Sequence, residues 1–434
     1  MARPFRGDAR LFRAAYVRGM ANPDLSRSPV LLLGGVNLVR ALGLAGIPAI
    51  VASPDPDDPA FSSCYCNGRV VLPPLSQREA VVQALIDTSA RLFQSYGRQV
   101  PLMFGNDDYL ELIHAHRDRL QGHFLMILND QDVAQSLMEK SRFADLAATR
   151  GVPVPLTLRW EGEDDDALGR FPGKVLVKPK LKLDWHDSPL HDLLFTDDGK
   201  ALVFENGAAA MAHPLVERYR NQLMFQEFIP GDDRHLWSFH GFADENGELI
   251  AAFVGRKIRT YPPVTGESAF IEMVSDPGLA AFGKLIAARI PLRGFYKIDF
   301  KQDPRDGRLF ALEVNARCTL WHYLGAVNGV NLVGAAYEYL VHGRRAPSAN
   351  YSTERRWVYM RLDFLAFRAL ARRGELGLVS WLRSLAAAPR IYNVFAWDDP
   401  GPFVALWEGR LARRTRRAGE RFRTWMRQWL STAS

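Results

Sequence analysis

The stretch Leu312-Glu-Val-Asn-Ala-Arg317 decides how this sequence is interpreted, because it carries a polar side chain at every second residue. It belongs to a predicted β-hairpin of two strands, Gly294 to Gln302 and Arg308 to Asn315. Between them, Pro304-Arg-Asp-Gly307 has the residues of a turn. Side chains repeat every second residue along a strand, so the polar groups of the second strand share one face.

This polar face has the composition of a metal site. Asp299 on the first strand, Glu313 and the amide oxygen of Asn315 are the oxygen ligands that Mg²⁺ takes, together with substrate phosphates. Arg317, next on that face, could hold a phosphoryl group with its planar guanidinium. The alternative is a solvent-facing hairpin with a salt bridge, and spacing alone does not separate the two interpretations.

The composition describes a globular chain with room for two or three domains. Its 434 residues are 47% hydrophobic and 24% charged. The longest apolar stretch, residues 30–53, is interrupted by Arg40, Pro48 and glycines, so no span of about 20 apolar residues exists to cross a bilayer. Three cysteines, at 64, 66 and 318, are typical of a reducing compartment and too few for a zinc site. We therefore expect a cytoplasmic protein.

The positive charge lies at the two ends of the chain. The net charge is +7, yet residues 1–28 hold six arginines against two aspartates, and residues 401–434 hold eight arginines against two glutamates. The body between these ends is slightly acidic, which argues against a nucleic-acid partner. Residues 1–28 lack the apolar core of a secretory signal, so they are interpreted as a basic tail.

The pattern of predicted elements divides the chain into three further parts. Residues 29–130 alternate strands and helices, which is typical of a parallel α/β domain. Residues 131–345 begin with a helix over 132–149 and continue with strands and hairpins, which predicts an α+β domain. Residues 346–434 form a mainly helical C-terminal extension.

The hairpin resembles the signature of the ATP-grasp superfamily, whose final strands carry an acidic residue and then Glu-x-Asn-x-Arg. The resemblance covers roughly residues 30–345 and includes the order of the elements. It implies a pre-ATP-grasp α/β domain, followed by an ATP-grasp domain with a small lid subdomain at about 152–230. It also implies ATP and one or two Mg²⁺ ions, for which Mn²⁺ could substitute.

The resemblance also assigns nucleotide-binding residues. Lys140 and Lys178 are similar to the two lysines that hold the phosphates, with Lys180 as a less favoured substitute for the second. Asp233 stands where the family has its ribose-binding acid. The segment that resembles the adenine hinge consists of Gln226, Glu227, Phe228 and Ile229.

Two arginines are assigned to the reacting groups. Period-two alternation puts Arg256 on one face of its strand and Lys257 and Arg259 on the other. In the family, a basic residue here meets the acyl phosphate or the substrate carboxylate, so Arg256 and Arg317 are predicted to stabilise the transferring phosphoryl group. Trp321 and His322 follow the motif and either line the acceptor pocket or are structural.

The sequence departs from the family between the strand lysine and the hinge. Residues 181–221 contain only Gly199 and Gly207, where ATP-grasp enzymes commonly carry a glycine-rich loop that closes over the phosphates. The sequence therefore leaves two possibilities, a lid that closes over the phosphates and a lid that does not. The alternatives to a ligase are an ATP-grasp phosphotransferase and a non-catalytic ATP-binding module.

The first domain and the C-terminal extension narrow the resemblance. Gly34 and Gly35 follow the first strand, but Gly-x-Gly-x-x-Gly is absent, which argues against a dinucleotide site. Arg40 in the first helix and Trp397-Asp-Asp-Pro400 resemble the predicted carboxylate-amine ligases related to D-aspartate ligase. Residues 403–430 predict a basic amphipathic helix, which either contacts a membrane or a partner peripherally or packs on the body.

The resemblance implies a function. We expect a Mg²⁺-dependent ligase in which a small-molecule carboxylate attacks the γ-phosphate of ATP and ADP leaves. An amine, amino acid or similar nucleophile then captures the acyl phosphate.

Overall fold

The computed structural model describes residues 26–160, 165–180, 201–345 and 350–409, without the side chains of residues 140, 141 and 165–167. Residues 1–25 of the basic tail, the glycine-poor stretch 181–200 and most of the predicted amphipathic helix lie outside these ranges. Among the helices within them, none combines the length and apolar composition that a bilayer span requires.

The first part of the chain forms an open parallel sheet, as its alternating elements predict. The strand order is β3-β2-β1-β4-β5, and all neighbours run in parallel. Because β1 and β4 are adjacent, the loops after them, at Gly34 and Gly105, meet at one edge, where open α/β sheets bind ligands. The elements are β1 (Val30–Leu33), α1 (Val36–Leu44), β2 (Ala49–Ser53), β3 (Cys66–Val71), α2 (Arg78–Tyr96), β4 (Val100–Phe104), α3 (Asp107–Ala115), α4 (Arg117–Gln121) and β5 (Phe124–Leu125).

The helix predicted over 132–149 is two helices, α5 (Gln131–Met138) and α6 (Lys140–Thr149). Glu139 between them has an extended backbone, with φ −104° and ψ 115°. Helix α6 ends at Thr149, and Gly151, two residues beyond it, has a φ of +65°. Glycine adopts this left-handed conformation without steric cost, which suits the end of a helix.

A small four-stranded sheet follows, with the order β6-β9-β7-β8. It has a core of its own around Trp160, Phe171, Val175 and Phe225. The small sheet therefore packs around a core of its own and does not share the core of the largest sheet. Its elements are β6 (Thr157–Arg159), β7 (Val175–Pro179), β8 (Leu202–Phe204), α7 (Gly207–Met211), α8 (Pro214–Tyr219) and β9 (Leu223–Glu227).

The largest sheet has seven strands in the order β14-β13-β10-β11-β12-β15-β16. It contains the predicted hairpin of β13 and β14, with its turn at 304–307, and a second hairpin of β10 and β11, with its turn at 244–247. The two hairpins pair through β10 and β13, and α9 to α11 pack on the sheet. Its elements within residues 236–342 are β10 (Leu236–Ala243), β11 (Leu249–Tyr261), β12 (Glu267–Val274), α9 (Pro277–Arg289), β13 (Gly294–Gln302), β14 (Leu309–Asn315), α10 (Trp321–Val327) and α11 (Leu332–His342).

The C-terminal segment is mainly helical in its described part, with α12 (Met360–Arg372), α13 (Leu378–Ala386) and a helix over 401–409. It also contributes two short strands that the sequence analysis did not predict, β15 (Arg356–Val358) and β16 (Arg390–Tyr392). Strand β15 pairs with β12, and β16 pairs in parallel with β15. The extension is therefore part of the largest sheet rather than an appendage.

A buried ion pair joins this segment to the first domain. Arg40 of α1 and Asp399 have fully buried side chains, and Arg40 Nε lies 2.9 Å from Asp399 Oδ2. Asp399 also accepts hydrogen bonds from the Ser63 hydroxyl and the Cys64 N–H, each of 2.8 Å. The arginine that the sequence analysis singled out thus holds the Trp-Asp-Asp-Pro segment against the parallel sheet.

Candidate active site

The predicted hairpin brings its polar side chains together. Asp299 and Glu313 lie directly opposite each other in the register of β13 and β14, and Asn315 follows on the same face. Asn315 Nδ2 donates a hydrogen bond of 3.2 Å to Glu313 Oε1. The face therefore presents two carboxylates and one carboxamide to a common space.

Two lysines to which the sequence analysis gave no role flank Asp299. Lys297 Nζ lies 2.7 Å and Lys257 Nζ 3.6 Å from Asp299 Oδ2, and Ser238 donates its hydroxyl to the other carboxylate oxygen. Burial lowers the pKa of Lys297, and the charge of Asp299 opposes this effect. Lys297 could have been found from the sequence, because it lies two residues before Asp299 and so shares its face.

Arg256 requires a correction. Its guanidinium bonds Glu272 on the neighbouring strand, with Nε 2.8 Å from Oε1, and it does not line the cavities around Asp299. Strand alternation is the reason, since Arg256 pairs with Trp237 and Lys257 falls on the face of Ser238 and Asp299. Lys257, not Arg256, is the cation of this strand that reaches the site.

Arg259 does not share the position of Lys257, although simple alternation predicts it. The register of β11 against β12 shifts between Lys257 and Arg259. Arg259 instead forms a buried pair with Asp363 of α12, with Nε 2.6 Å from Oδ1. Lys257 is thus set apart from both arginines of its strand.

A cleft lies between the small sheet and the largest sheet. The predicted Lys178 and the four predicted hinge residues line it, as do Asp299 and Glu313. Its lining comprises Leu176, Lys178, Ala201, Gln226, Glu227, Phe228, Ile229, Leu236, Lys257, Val264, Thr265, Gly266, Asp299, Lys301, Leu312 and Glu313. The predicted hinge, the strand lysine and the carboxylate pair therefore share one space.

The predicted phosphate lysines differ in what the structure shows of them. Lys178 Nζ donates a hydrogen bond of 3.0 Å to Gln226 Oε1. Lys180, the proposed substitute, donates to the Trp160 carbonyl at 3.1 Å and does not line the cleft. Lys140 is the first residue of α6, and its side chain lies outside the described part of the structure.

The predicted hinge segment includes an aromatic residue, Phe228, that lines the cleft. Lys301 lies over the Phe228 ring, with Nζ 4.9 Å from the ring centroid. Burial lowers the pKa of Lys301 to about 8. The Phe228 N–H already donates to the Lys174 carbonyl at 2.9 Å, so this group is not available for a base. Lys301 is a further cation that the sequence analysis missed, two residues beyond Asp299.

Asp233 has a role different from the one predicted. It is buried, and it accepts hydrogen bonds from the Thr260 N–H at 2.6 Å, the Thr260 hydroxyl at 3.0 Å and the Val264 N–H at 2.7 Å. It does not line the cleft. Burial raises its pKa, and these donors act in the opposite direction. Asp233 therefore stabilises the loop 262–266, because both of its carboxylate oxygens accept hydrogen bonds from Thr260 or Val264.

A second cavity of about 440 Å³ adjoins the cleft. The first domain and the C-terminal segment both line it, at the edge where β1 and β4 end. Four residues line both spaces: Lys257, Gly266, Asp299 and Glu313. The carboxylate pair therefore lies between the cleft, which the predicted hinge residues line, and a separate polar cavity.

Arg317 lines the second cavity, but its guanidinium is already occupied. It forms a two-pronged pair with Asp107 at the start of α3, with Nε–Oδ1 2.6 Å and Nη2–Oδ2 3.1 Å. Nη1 donates to the Gly105 carbonyl at 3.1 Å. Arg317 thus ties the hairpin to the first domain, and Asp107 neutralises the charge expected to meet a phosphoryl group.

Trp321 and His322, which were considered for the acceptor pocket, have different surroundings in the structure. Trp321 lines the second cavity. His322 is fully buried, 5.5 Å from the Phe295 ring, and burial lowers its pKa to about 3. Of the two alternatives for His322, the structural one is therefore correct.

The donor chemistry of the hairpin suits Mg²⁺. No group of three or more His, Cys, Asp or Glu side chains in the described ranges is arranged to hold a metal on its own. Asp299, Glu313 and the Asn315 amide supply only part of a coordination sphere. That is the pattern of Mg²⁺, which usually takes one or two carboxylates and completes its sphere with water and substrate phosphates.

Comparisons with known proteins identify relatives by sequence and by fold. No family model matches the chain. The D-aspartate ligase of Enterococcus faecium is 22% identical over 320 residues, which are 70% of this chain and 74% of that protein. The same fold occurs in the L-amino acid ligase from Bacillus licheniformis, with a TM-score of 0.53, 12% identity and coverage of 74% of this chain and 78% of that one.

A third similar protein was solved with a nucleotide. The N5-carboxyaminoimidazole synthetase from Staphylococcus aureus, complexed with ADP, matches with a TM-score of 0.54 and 11% identity. The match covers 75% of this chain and 80% of that one. The ligases and synthetases found by sequence and by structure are all ATP-grasp proteins. The chain therefore has the ATP-grasp fold of these proteins.

Proposed function

We propose that the protein is an ATP- and Mg²⁺-dependent ligase that joins a carboxylate to an amine through an acyl phosphate and releases ADP. The observation that carries this proposal is the contact between two spaces at Asp299 and Glu313. A phosphoryl group transferred from a nucleotide in the cleft would arrive at an acceptor in the second cavity. The similar ligases and synthetases support this reaction class.

The cleft would hold ATP with its base at the hinge and its phosphates toward the carboxylate pair. Phe228 offers a ring for stacking, and Lys178 offers a positive charge on the strand beneath the phosphates. Lys301 and Lys257 add positive charge between these two ends. Lys140 remains the other proposed phosphate ligand.

Asp299, Glu313 and Asn315 would hold the metal ion. When bound, Mg²⁺ neutralises phosphate charge and orients the phosphoryl group for in-line transfer. Lys297 and Lys257 now balance the charge of Asp299. We infer that these amines turn toward the substrate anions when the ion binds.

The reaction would proceed in two displacements. A carboxylate oxygen of the substrate attacks the γ-phosphorus of ATP, and the bond to the β-phosphate oxygen breaks to release ADP. The amine nitrogen then attacks the acyl carbon, inorganic phosphate leaves, and the amine loses a proton. Lys257 would neutralise the transferring phosphoryl group in place of Arg256, and Arg317 would position the hairpin.

The test is ADP release with Mg²⁺, ATP and pooled carboxylates and amines, for the wild type and Glu313→Gln. We expect ADP from the wild type only when a carboxylate is present, and a decrease of about a hundredfold or more in Glu313→Gln, because a metal-binding charge is lost. Glu354→Gln, at an exposed site outside both cavities, is the matched control.

Product analysis separates the ligase from its alternatives. With hydroxylamine as the nucleophile, an acyl phosphate gives a hydroxamate. A stable phosphorylated product would instead indicate a phosphotransferase. ATP binding without ADP release in any mixture would indicate a binding module.

A further inference from the structure

The second cavity has a wall that the motif does not supply. Asn393, which follows β16, lines this wall beside Asn37 of the first domain. The Asn393 N–H donates to the Val358 carbonyl at 3.0 Å, which continues the pairing of β15 with β16. Asn393 therefore reaches the cavity because the C-terminal segment is built into the largest sheet.

A chain of hydrogen bonds fixes how the two amides are oriented. The Trp357 indole Nε1–H donates to Asn37 Oδ1 at 3.0 Å, and Asn37 Nδ2 donates to Asn393 Oδ1 at 2.7 Å. An indole nitrogen can only donate, so it selects the oxygen of Asn37 as its acceptor. The nitrogen of Asn37 must then donate, and the oxygen of Asn393 must accept. The order of atoms in both amides follows from chemistry alone.

The consequence is a donor with a fixed direction. Asn393 Nδ2 has no hydrogen-bond partner among the described residues, although its amide oxygen is held by Asn37. Trp357 is fully buried and Asn37 is 8% exposed, so the two residues that orient the Asn393 amide are held rigidly. An immobilised donor loses little conformational entropy when it binds a ligand.

We propose that Asn393 is a specificity-determining residue whose amide Nδ2 binds a second oxygen acceptor of the carboxylate substrate. This inference rests on the proposed function, because it assigns the second cavity to that substrate. The reacting carboxylate belongs near Asp299, where the two spaces meet. Asn393 lines only the second cavity, so its donor meets a different part of the same molecule.

The substrate class is therefore an acid with a further carboxylate or carboxamide, rather than a simple monocarboxylate. An acceptor-bearing substrate gains a hydrogen bond to Asn393. An analogue that lacks the acceptor leaves a polar group unpaired in the cavity, which selects against it. The C-terminal segment thus takes part in choosing the substrate.

The experiment measures hydroxamate formation from aspartate, asparagine and β-alanine, with both enantiomers of the first two. β-Alanine keeps an amine and one carboxylate but lacks the second acceptor, and asparagine separates a carboxamide from a carboxylate. Asn393→Asp keeps the acceptor for Asn37 and replaces the donor with a negatively charged oxygen, which repels an acceptor oxygen of the substrate. We expect its KM for the substrate used by the wild type to rise about tenfold or more, with kcat little changed.

The control is Asn246→Asp, at an exposed turn residue that does not line the second cavity. MgATP affinity and melting temperature should be the same in both variants and the wild type. An unchanged KM in Asn393→Asp, or preferred use of β-alanine with the same KM increase, would overturn the inference.

An inactive wild type would count against the proposed function, and direct binding then tests Asn393 separately. Calorimetric titration with the same acids should show binding to the wild type that weakens about tenfold in Asn393→Asp. Equal binding to both proteins, or binding to neither, would overturn the assignment of Asn393.

Discussion

Lys257 and Arg256 are adjacent in the chain, but their side chains lie on opposite faces of β11, and only Lys257 lies on the face of Asp299. Lys257 shares the face of the carboxylate pair, whereas Arg256 bonds Glu272. We expect Lys257→Ala to lower kcat for ADP release about tenfold to a hundredfold, because a cation near the transferring group is lost. Steady-state kinetics with saturating MgATP measure this effect.

Arg256→Ala serves as the matched variant. Arg356 also pairs with Glu272, with Nε 2.8 Å from Oε2, so the carboxylate keeps one partner. The free energy of unfolding should fall by about 1 kcal/mol or less, and kcat should stay within about twofold of the wild type. A larger kcat decrease in Arg256→Ala than in Lys257→Ala would restore the assignment made from the sequence.

Single residues mark where sequence reasoning succeeds and where it stops. The placement of Asp299, Glu313 and Asn315 on one face was predictable, because period two in a hairpin fixes it. The roles of Asp233 and Arg317 were not, because their partners Val264 and Asp107 lie in other elements. Motifs identify which residues are polar at a site, whereas tertiary neighbours decide which of them remain available.

At the scale of elements, the loop 262–266 depends on Asp233. Val264 has a φ of +76°, a strained conformation for a β-branched residue. A Cβ at Gly266 would lie 2.0 Å from the Tyr261 carbonyl carbon, so only glycine fits there. The Asp233 carboxylate holds this loop, which lines both spaces, in its strained form.

Asp233→Asn should therefore loosen the loop. One of the two N–H groups that now face carboxylate oxygens would face an amide NH₂, which costs about 1 to 3 kcal/mol. We expect that decrease in the free energy of unfolding, measured in urea, together with a higher KM for MgATP. If Asp233 bound ribose instead, the KM would rise without a change in stability.

The elements that were predicted well are those with strong local patterns, such as the alternating strands and helices of residues 29–130 and the hairpin of β13 and β14. Strands β15 and β16 have three residues each and exist because β12 offers an edge. The break between α5 and α6 at Glu139 is not marked by a proline or a glycine in the sequence. Short strands and helix breaks of this kind depend on tertiary pairing, which a single sequence does not display.

At the scale of the whole molecule, Arg40 and Asp399 join the two ends of the described chain. Asp399→Ala would leave a buried, unpaired arginine, so we expect the free energy of unfolding to fall by about 3 to 5 kcal/mol. Urea denaturation measures this difference. Glu79→Ala, which removes the exposed pair with Arg119, should cost less than about 1 kcal/mol.

A double replacement tests whether charge is the cause. Arg40→Met combined with Asp399→Leu removes both charges and should recover much of the lost stability. If the double variant were as unstable as Asp399→Ala, the hydrogen bonds from Ser63 and Cys64 would be the main contribution instead.

Three buried histidines make the free energy of unfolding of the whole protein depend on pH. Burial lowers the pKa of His322 to about 3 and of His114 to about 4, and it lowers that of His240 as well. Below pH 6.5 the unfolded chain therefore binds more protons than the folded chain, so the free energy of unfolding falls as the pH decreases toward 4. Each histidine contributes a slope of at most about 1.4 kcal/mol per pH unit.

Urea titrations between pH 7 and 4 measure that slope. His322→Leu should show a shallower decrease than the wild type over this range, because one of the proton-binding differences is removed. Parallel curves for the two proteins would mean that His322 is protonated without cost in the folded state.

The wall shared by the two cavities links their ligands thermodynamically. Lys257, Asp299 and Glu313 face both spaces, so an anion or cation bound in one changes the electric field in the other. Linkage is reciprocal: if a nucleotide raises the affinity for the acid, the acid raises the affinity for the nucleotide by the same factor. Each ligand would then bind more tightly in the presence of the other than alone, and the factor measured for one predicts the factor for the other.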